Sequence, residues 1–243
     1  MRSTHTTHAA MIALAALVSS AAPALAQSDS TKTAPPPAQH IEYLGGGYFA
    51  GSFPMGDWGK IAGFGLALDG TTVTRKPGKV FALRSNLGLL YNFSRTVDVP
   101  AGNLGGPNDK LSIETKNWSL LFGLGPEYSM PNKDVTPFVF GTVGFDTYWT
   151  GSELSGTASG SPYSAKHGDN RIAFAWSAGL GFRRHVGPGH MGELSAEYRS
   201  GIRHDFLVPD DVHVSGGVVT ANRDSHTSDQ ILVRIGTVLG SEP

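Results

Sequence analysis

Large apolar residues alternate with small or polar residues through most of the chain from residue 41 onward. The segment RIAFAWSAGLGFRRHV (171–186) shows the pattern clearly: Ile172, Phe174 and Trp176 share one parity, whereas alanine, serine, glycine and Arg183 occupy the other. A period of two places the two sets on opposite faces of a β-strand. The pattern therefore predicts strands with one apolar face and one face of small and charged side chains.

Eight segments of this kind predict strands near 41–51, 61–74, 80–93, 112–129, 135–149, 171–186, 191–206 and 229–240. Their parity is open in 41–51 and 135–149. Short turns at 75–79, 130–134 and 186–190 alternate with longer polar connections at 52–60, 96–110, 151–170 and 208–228. The short turns are built from residues such as Pro, Gly and Asn. Strict alternation places all short turns at one end and all long loops at the other, as in outer-membrane barrels.

The small side chains on the polar face suit the narrow interior of an eight-stranded barrel. We therefore expect the large apolar residues to face lipid. Aromatic residues near the strand ends predict two interfacial girdles. Toward the long loops these residues are Tyr91, Phe93, Trp118, Tyr148, Trp149 and Phe206, and toward the short turns they are Tyr128 and Phe182. The alternative is a soluble, lipocalin-like periplasmic carrier with its apolar face turned inward.

Several strand phrases resemble the outer-membrane protein β-barrel domain family, the small eight-stranded barrels of the OmpA and OmpX type. The phrases are GGGYFAG, LRSNLGLLYNF, NWSLLFGLGPEY, TPFVFGTVGF and WSAGLGFRR, and the resemblance covers residues 40–240. It implies an all-β fold, an eight-stranded antiparallel up-and-down transmembrane β-barrel in the cell outer membrane. It also implies outer-membrane lipids and lipopolysaccharide as neighbours, and the barrel-assembly machinery as a partner during insertion.

The first residues predict export. Arg2 precedes an apolar run, and Ala24-Leu25-Ala26 offers the small residues that a signal peptidase recognises, so 1–26 is predicted to be a cleaved Sec-type signal peptide. A Pro-rich stretch at 27–40 predicts a disordered leader, followed by the barrel domain at 41–240. The sequence contains no cysteine, which excludes a disulfide framework. Its 19 basic and 20 acidic side chains nearly balance, so no nucleic-acid partner is expected.

Charged residues on the predicted inner face form a candidate lumen network. Segment 191–206 carries four of them on one parity, and four more come from other strands. The turn at 186–190 brings Arg183 opposite Glu193. Arginine can bridge carboxylates with two hydrogen bonds and stays charged when buried, so the network is expected to fill the lumen. Its members are Arg84, Glu127, Arg183, Glu193, Glu197, Arg199, Arg203 and Arg234.

Catalytic and metal chemistry find little support. Ser200 and His204 lie four residues apart in a predicted strand, roughly 13 Å along the chain, which is too far for a nucleophile–base hydrogen bond. A lipid A-modifying barrel enzyme is therefore not favoured, and no catalytic residue, metal site or cofactor is predicted. The long loops predict a surface-interaction platform that contacts an extracellular ligand, a host or a phage surface. The alternative is a small, gated, porin-like channel through the same lumen charges.

Overall fold

A computed structural model describes residues 42–99, 110–130, 134–158, 161–205, 212–215, 218–221 and 225–240. The predicted signal peptide (1–26) and leader (27–40) lie outside these residues. The described elements follow in chain order: β1 (Glu42–Pro54), α1 (Gly56–Ile61), β2 (Ala62–Arg75), β3 (Phe81–Val99), β4 (Lys110–Ser129), β5 (Val135–Ala158), β6 (Ser161–Gly187), β7 (His190–Asp205), β8 (Val212–Ser215), β9 (Val218–Ala221) and β10 (Ser225–Gly240).

Eight strands close into an antiparallel barrel in the order β1-β10-β7-β6-β5-β4-β3-β2. Strands β1 and β10 complete the ring, with pairing from Leu44↔Gly240 to Pro54↔Gln230. Each of these eight strands pairs with the barrel strands that precede and follow it in the chain. The predicted eight-stranded up-and-down barrel is therefore confirmed. Strands β8 and β9 form a separate hairpin inside the connection predicted at 208–228.

The strands at the long-loop end extend further than the sequence pattern predicts. The segment 151–170, predicted as a loop, continues the β5–β6 hairpin up to the pair Ala158↔Ser161. Strands β3 and β4 likewise stay paired as far as Val99↔Leu111. Serine, threonine and glycine dominate 151–170, so the segment lacks the apolar alternation that marks a half-buried strand. The four strands β3 to β6 thus project together beyond the other half of the barrel.

The inward and outward faces follow the predicted parity. On β6, Ile172 is 73% exposed whereas its neighbour Ala173 is 7% exposed. The large residues of β3, β4 and β10 also alternate outward with buried small or polar residues. The lumen, rather than the outer face, therefore holds the small and charged set.

The structure also settles the two parities that the sequence left open. In β1, Leu44, Tyr48 and Ala50 are buried and Phe49 is exposed. In β5, bulky residues face the lumen: Phe138, Phe140 and Tyr148 are buried, whereas Val139 and Val143 are exposed. Large side chains therefore occur on both faces of β5, and this removes the size contrast on which the sequence reasoning relied.

A short helix lies at the long-loop end, where the sequence predicted only the connection 52–60. Helix α1 joins β1 to β2, yet its Trp58 and Ile61 pack against Tyr148 of β5 and Ala173 of β6. Those strands lie on the opposite side of the ring, so α1 reaches across the mouth of the barrel. Within the described ranges, no helix is long and apolar enough to cross a membrane.

Candidate functional site: the charged lumen

Two arginines and two glutamates from four strands form a closed quartet in the lumen. Arg183 donates to both oxygens of Glu127, at 2.6 Å and 2.8 Å, and through Nε to Glu193 at 2.7 Å. Arg84 donates to Glu127 at 2.9 Å and to Glu193 at 3.2 Å. The four residues are 2% exposed or less. Each carboxylate thus bridges both guanidinium groups, and the quartet ties β3, β4, β6 and β7 together.

Aromatic rings of β5 complete the surroundings of the two arginines. The Arg84 guanidinium lies 4.4 Å from the centroid of the Phe140 ring, and that of Arg183 lies 4.2 Å from the Phe138 centroid. Such cation–π contacts contribute most where the cation is withdrawn from water. The lumen-facing phenylalanines therefore stabilise the charges that they enclose.

A second group forms a chain of alternating charges: Asp146, Arg199, Glu197, Arg234 and Asp69. Arg199 Nε donates to both Asp146 oxygens at 3.0 Å, and Arg199 Nη1 lies 3.5 Å from Glu197. Arg234 in turn donates to Glu197 and to Asp69. All five are buried. Across the quartet and this chain, four arginines meet five carboxylates.

Seven of the eight residues predicted in the lumen lie in the quartet or the charge chain, and Arg183 stands directly opposite Glu193 in the ladder. The exception is Arg203, which is exposed. The β7–β10 register shifts between His226 and Ser228, and three consecutive β7 residues from Arg199 to Gly201 are buried. Such an irregularity re-aims the following side chains, which removes Arg203 from the lumen.

Sequence reasoning missed two carboxylates of the charge chain, Asp69 and Asp146. Asp146 lies on β5, where parity was open because of the inward aromatic residues. Asp69 had a usable signal, since it alternates with Leu66 and Leu68, which are 52% and 61% exposed. Applying the parity test to β2 would have placed Asp69 inside the barrel.

Most of the predicted interfacial aromatics lie on the outer face. At the long-loop end, the Tyr91 ring centroid lies 4.6 Å from that of Trp118 and 5.4 Å from that of Phe93. At the short-turn end, Phe81 and Tyr128 pack with their centroids 5.2 Å apart. The outward residues also include Trp149, which stands opposite Trp118, and Phe182, which is 46% exposed. Phe206 lies outside the described residues.

Tyr148 is a correction to the predicted girdle. It is 2% exposed and points into the lumen. Its hydroxyl donates to Asp146 at 3.1 Å and shares a hydrogen bond with Ser228 at 2.5 Å, while its ring packs edge-on against Trp58 of α1 at 5.8 Å. The polar environment around Asp146 draws the hydroxyl inward, so Tyr148 links the charge chain to the helix at the mouth.

No protein-family model and no curated protein sequence matches the chain. Among solved structures, a major outer membrane protein from Thermus thermophilus is 15% identical with a TM-score of 0.47, covering 83% of this chain and 100% of that chain. Ail, the attachment invasion locus protein of Yersinia pestis, is 11% identical with a TM-score of 0.40, covering 83% and 97%. The N-terminal β-barrel domain of Pseudomonas aeruginosa OprF is 7% identical with a TM-score of 0.38, covering 84% and 98%.

The lumen is closed by side chains at several levels. Below the α1 cluster, an apolar layer of Ala50, Ala67, Leu90, Leu121 and Leu232 crosses the barrel, and Leu44, Tyr48, Val73 and Val238 of the adjacent strands β1, β2 and β10 form a further apolar cluster inside it. Across the part of the chain that the structure describes, no three His, Cys, Asp or Glu side chains are grouped as metal ligands. The hydroxyl of Ser200, the serine that lies four residues before His204, donates a hydrogen bond to Asp229 at 2.6 Å. The arrangement is therefore suited to holding a barrel rigid and blocked.

Proposed function

We propose that the chain is an integral outer-membrane barrel with a lumen blocked by side chains, which serves as a rigid platform for contacts at its long-loop end. The main support for the proposal is the exposure of large apolar side chains on the outward face. Phe49, Leu68, Leu180 and Ile235 are 61–72% exposed, and similar residues surround the barrel. Soluble monomers rarely expose contiguous apolar patches beyond a few hundred Å².

The ladder shows that this surface is continuous. Five neighbouring strands each place an apolar residue on the outward face, and each of these residues is directly paired with the next: Ile235, Phe49, Leu68, Leu89 and Leu120. The nine arginine, aspartate and glutamate side chains of the quartet and the charge chain lie inside. A lipocalin-like carrier needs the reverse arrangement, with an apolar cavity and a solvated exterior, so the burial pattern favours the membrane barrel over the soluble alternative.

The platform part of the proposal rests on the closed lumen and on the projecting β3–β6 sheet. Paired charges, an apolar layer and α1 obstruct the axis, and the extended strands offer a rigid polar surface at the long-loop end. On this proposal the partners are outer-membrane lipids and lipopolysaccharide, the barrel-assembly machinery during insertion, and an extracellular ligand, host or phage surface. No catalytic step forms part of it.

Heat-modifiable migration tests the membrane barrel. Detergent-extracted outer membranes are run on a denaturing gel with and without boiling. We expect the protein in the outer-membrane fraction and a mobility shift on boiling, because a closed barrel resists detergent until heated. A protein recovered in the soluble periplasmic fraction, without a shift, would overturn the proposal.

Conductance in planar bilayers tests the blocked lumen separately. The purified barrel is expected to give no steady current, since paired charges and an apolar layer cross the axis. A reproducible steady conductance would contradict the platform and favour the small channel.

A further inference from the structure

The outer boundary of the apolar belt can be located on three adjacent strands. Trp118 of β4 stands opposite Trp149 of β5, which stands opposite Asn170 of β6. Two residues along each strand toward the short-turn end, the outward residues are Leu120, Thr147 and Ile172. Two residues along each strand toward the long-loop end, the outward residues are Lys116, Gly151 and Gly168. Because tryptophan favours the membrane interface, the row containing Lys116 falls in the headgroup layer, roughly 7 Å along the strands from the row of indoles.

A cleft of about 190 Å³ opens on the outer surface at this level. Its floor is made by Gly151, which is directly paired with Gly168 of β6. A Cβ atom at either glycine would meet no heavy atom within 4 Å. Its walls are Glu114, Lys116, Glu153 and Lys166, and we call it the glycine-floored cleft.

The walls carry two positive and two negative charges at fixed places. Lys116 lies 3.1 Å from Glu114, and Lys166 lies 3.1 Å from Glu153. The two glutamates face each other directly across β4 and β5, a cross-strand arrangement of like charges that is destabilising by itself. The lysine side chains are 62% and 75% exposed, so their ammonium groups are accessible to a ligand at the cleft.

We propose that the glycine-floored cleft binds the phosphorylated sugar headgroup of a glycolipid anchored in the surrounding outer leaflet. The lysines supply ammonium donors for phosphate, as basic pockets do for anionic headgroups. The two carboxylates accept hydrogen bonds from sugar hydroxyls, and charge-assisted bonds of this kind are the stronger ones. The glycine floor leaves room for a ring, and Trp118 and Trp149 flank the point where the acyl chains enter the membrane. This inference rests on the proposed membrane orientation.

Lipid retention by the full-length mature barrel tests the proposal. The protein is placed in phosphatidylcholine nanodiscs containing a small fraction of diphosphorylated lipid A, released into detergent, and weighed by native mass spectrometry. We expect wild type to retain one lipid A molecule, and the K116Q/K166Q variant to retain at least tenfold less. The matched control is K76Q/K79Q, which removes two exposed lysines from the turn at the other end and is expected to behave as wild type.

A second variant, Gly151→Val, adds a side chain at the floor of the cleft and changes no charge. Gly151→Val has open space for its side chain, so the barrel is expected to fold and to shift on boiling, while lipid A retention falls at least tenfold. Lipid A without phosphates should be retained poorly by wild type. Equal retention of lipid A by wild type, K116Q/K166Q and Gly151→Val overturns the proposed binding at the cleft. If all three proteins also shift on boiling, the proposal of a membrane barrel is unaffected. A soluble protein with no shift overturns both.

Discussion

Glu127 is the residue on which the charged quartet depends most. It accepts hydrogen bonds from both Arg84 and Arg183 and is 0% exposed. Removing one partner from a buried ion pair leaves an uncompensated charge, which costs more than the pair itself contributes. The surrounding phenylalanines cannot replace the lost hydrogen bonds.

We therefore expect Glu127→Gln to lower the free energy of unfolding by about 3–5 kcal/mol. Urea titration of the barrel refolded into lipid vesicles measures the change. The matched control, Asp134→Asn, changes an exposed carboxylate and should stay within about 0.5 kcal/mol of wild type. A loss below about 1 kcal/mol for Glu127→Gln, the ordinary range for a neutral hydrogen bond, would contradict the role given to the quartet.

Gly181 makes room for the phenylalanine that packs against the quartet. A Cβ atom at this position would lie 2.6 Å from Phe138 Cζ and 2.7 Å from Ser195 Cβ. We expect Gly181→Ala to destabilise the barrel by about 1–3 kcal/mol through overpacking, measured by the same titration. At Gly47 a Cβ meets nothing within 4 Å, so Gly47→Ala is the control; equal effects at both sites would contradict the packing argument.

At the scale of the elements, α1 is held over the mouth by apolar packing and by polar contacts of Asp57. Trp58 and Ile61 are each 1% exposed. Asp57 lies 3.0 Å from Lys60 and 3.1 Å from His226 of β10. The hydrogen bonds from Lys60 and then from His226 hold the pKa of the Asp57 carboxyl below its ordinary value. The carboxylate therefore stabilises the helix in place.

Acidification should loosen α1. Because the folded-state pKa of Asp57 is lowered, its stabilising contribution is present above the unfolded pKa of about 3.9 and is lost as the pH falls through the folded value. Acrylamide quenching of a variant that keeps Trp58 alone, with Trp118, Trp149 and Trp176 changed to Phe, is expected to rise below about pH 4.

Asp57→Asn in the same single-tryptophan background is the control for this pH dependence. It should quench more than its parent at neutral pH and lose most of the acid-dependent increase. Equal quenching of Trp58 at pH 7 and pH 3 in the parent would show that apolar packing alone fixes the helix.

At the scale of the whole molecule, the described strands form a barrel whose polar and apolar faces are exchanged relative to a soluble protein. Ile235 lies midway along β10 on the outward face and is 64% exposed. In water such a residue tolerates a charge at little cost. At the centre of a bilayer, arginine on the lipid-facing side of a barrel costs about 2–4 kcal/mol.

Ile235→Arg therefore separates the two environments. In lipid vesicles, we expect its free energy of unfolding to fall by about 2–4 kcal/mol. Ser112→Arg, on the outward side of β4 well beyond Trp118, should change it by less than about 1 kcal/mol. An unchanged free energy of unfolding for both variants would mean that the outward apolar face does not contact hydrocarbon.

Strands whose two faces differ in side-chain size were predictable from the sequence. On β3, β4, β6, β7 and β10, alternation revealed the strands, their outward faces and most of the lumen charges. The short turn at 186–190 also indicated that Arg183 would meet Glu193. These features depend on residues close in the chain, where a period of two and the length of a turn fix which side chains become neighbours.

Only the tertiary structure decided the features that depend on distant strands. The inward turn of Phe138 and Phe140 is possible because Gly181 and Gly179 lie beside them on β6, and Tyr148 turns inward toward Asp146 and Ser228. The place of α1 depends on Tyr148 and Ala173 across the mouth, and Arg203 leaves the lumen at an irregularity of the β7–β10 ladder. Local periodicity carries no record of such contacts, because each is made only when the ring of strands closes and sets the register.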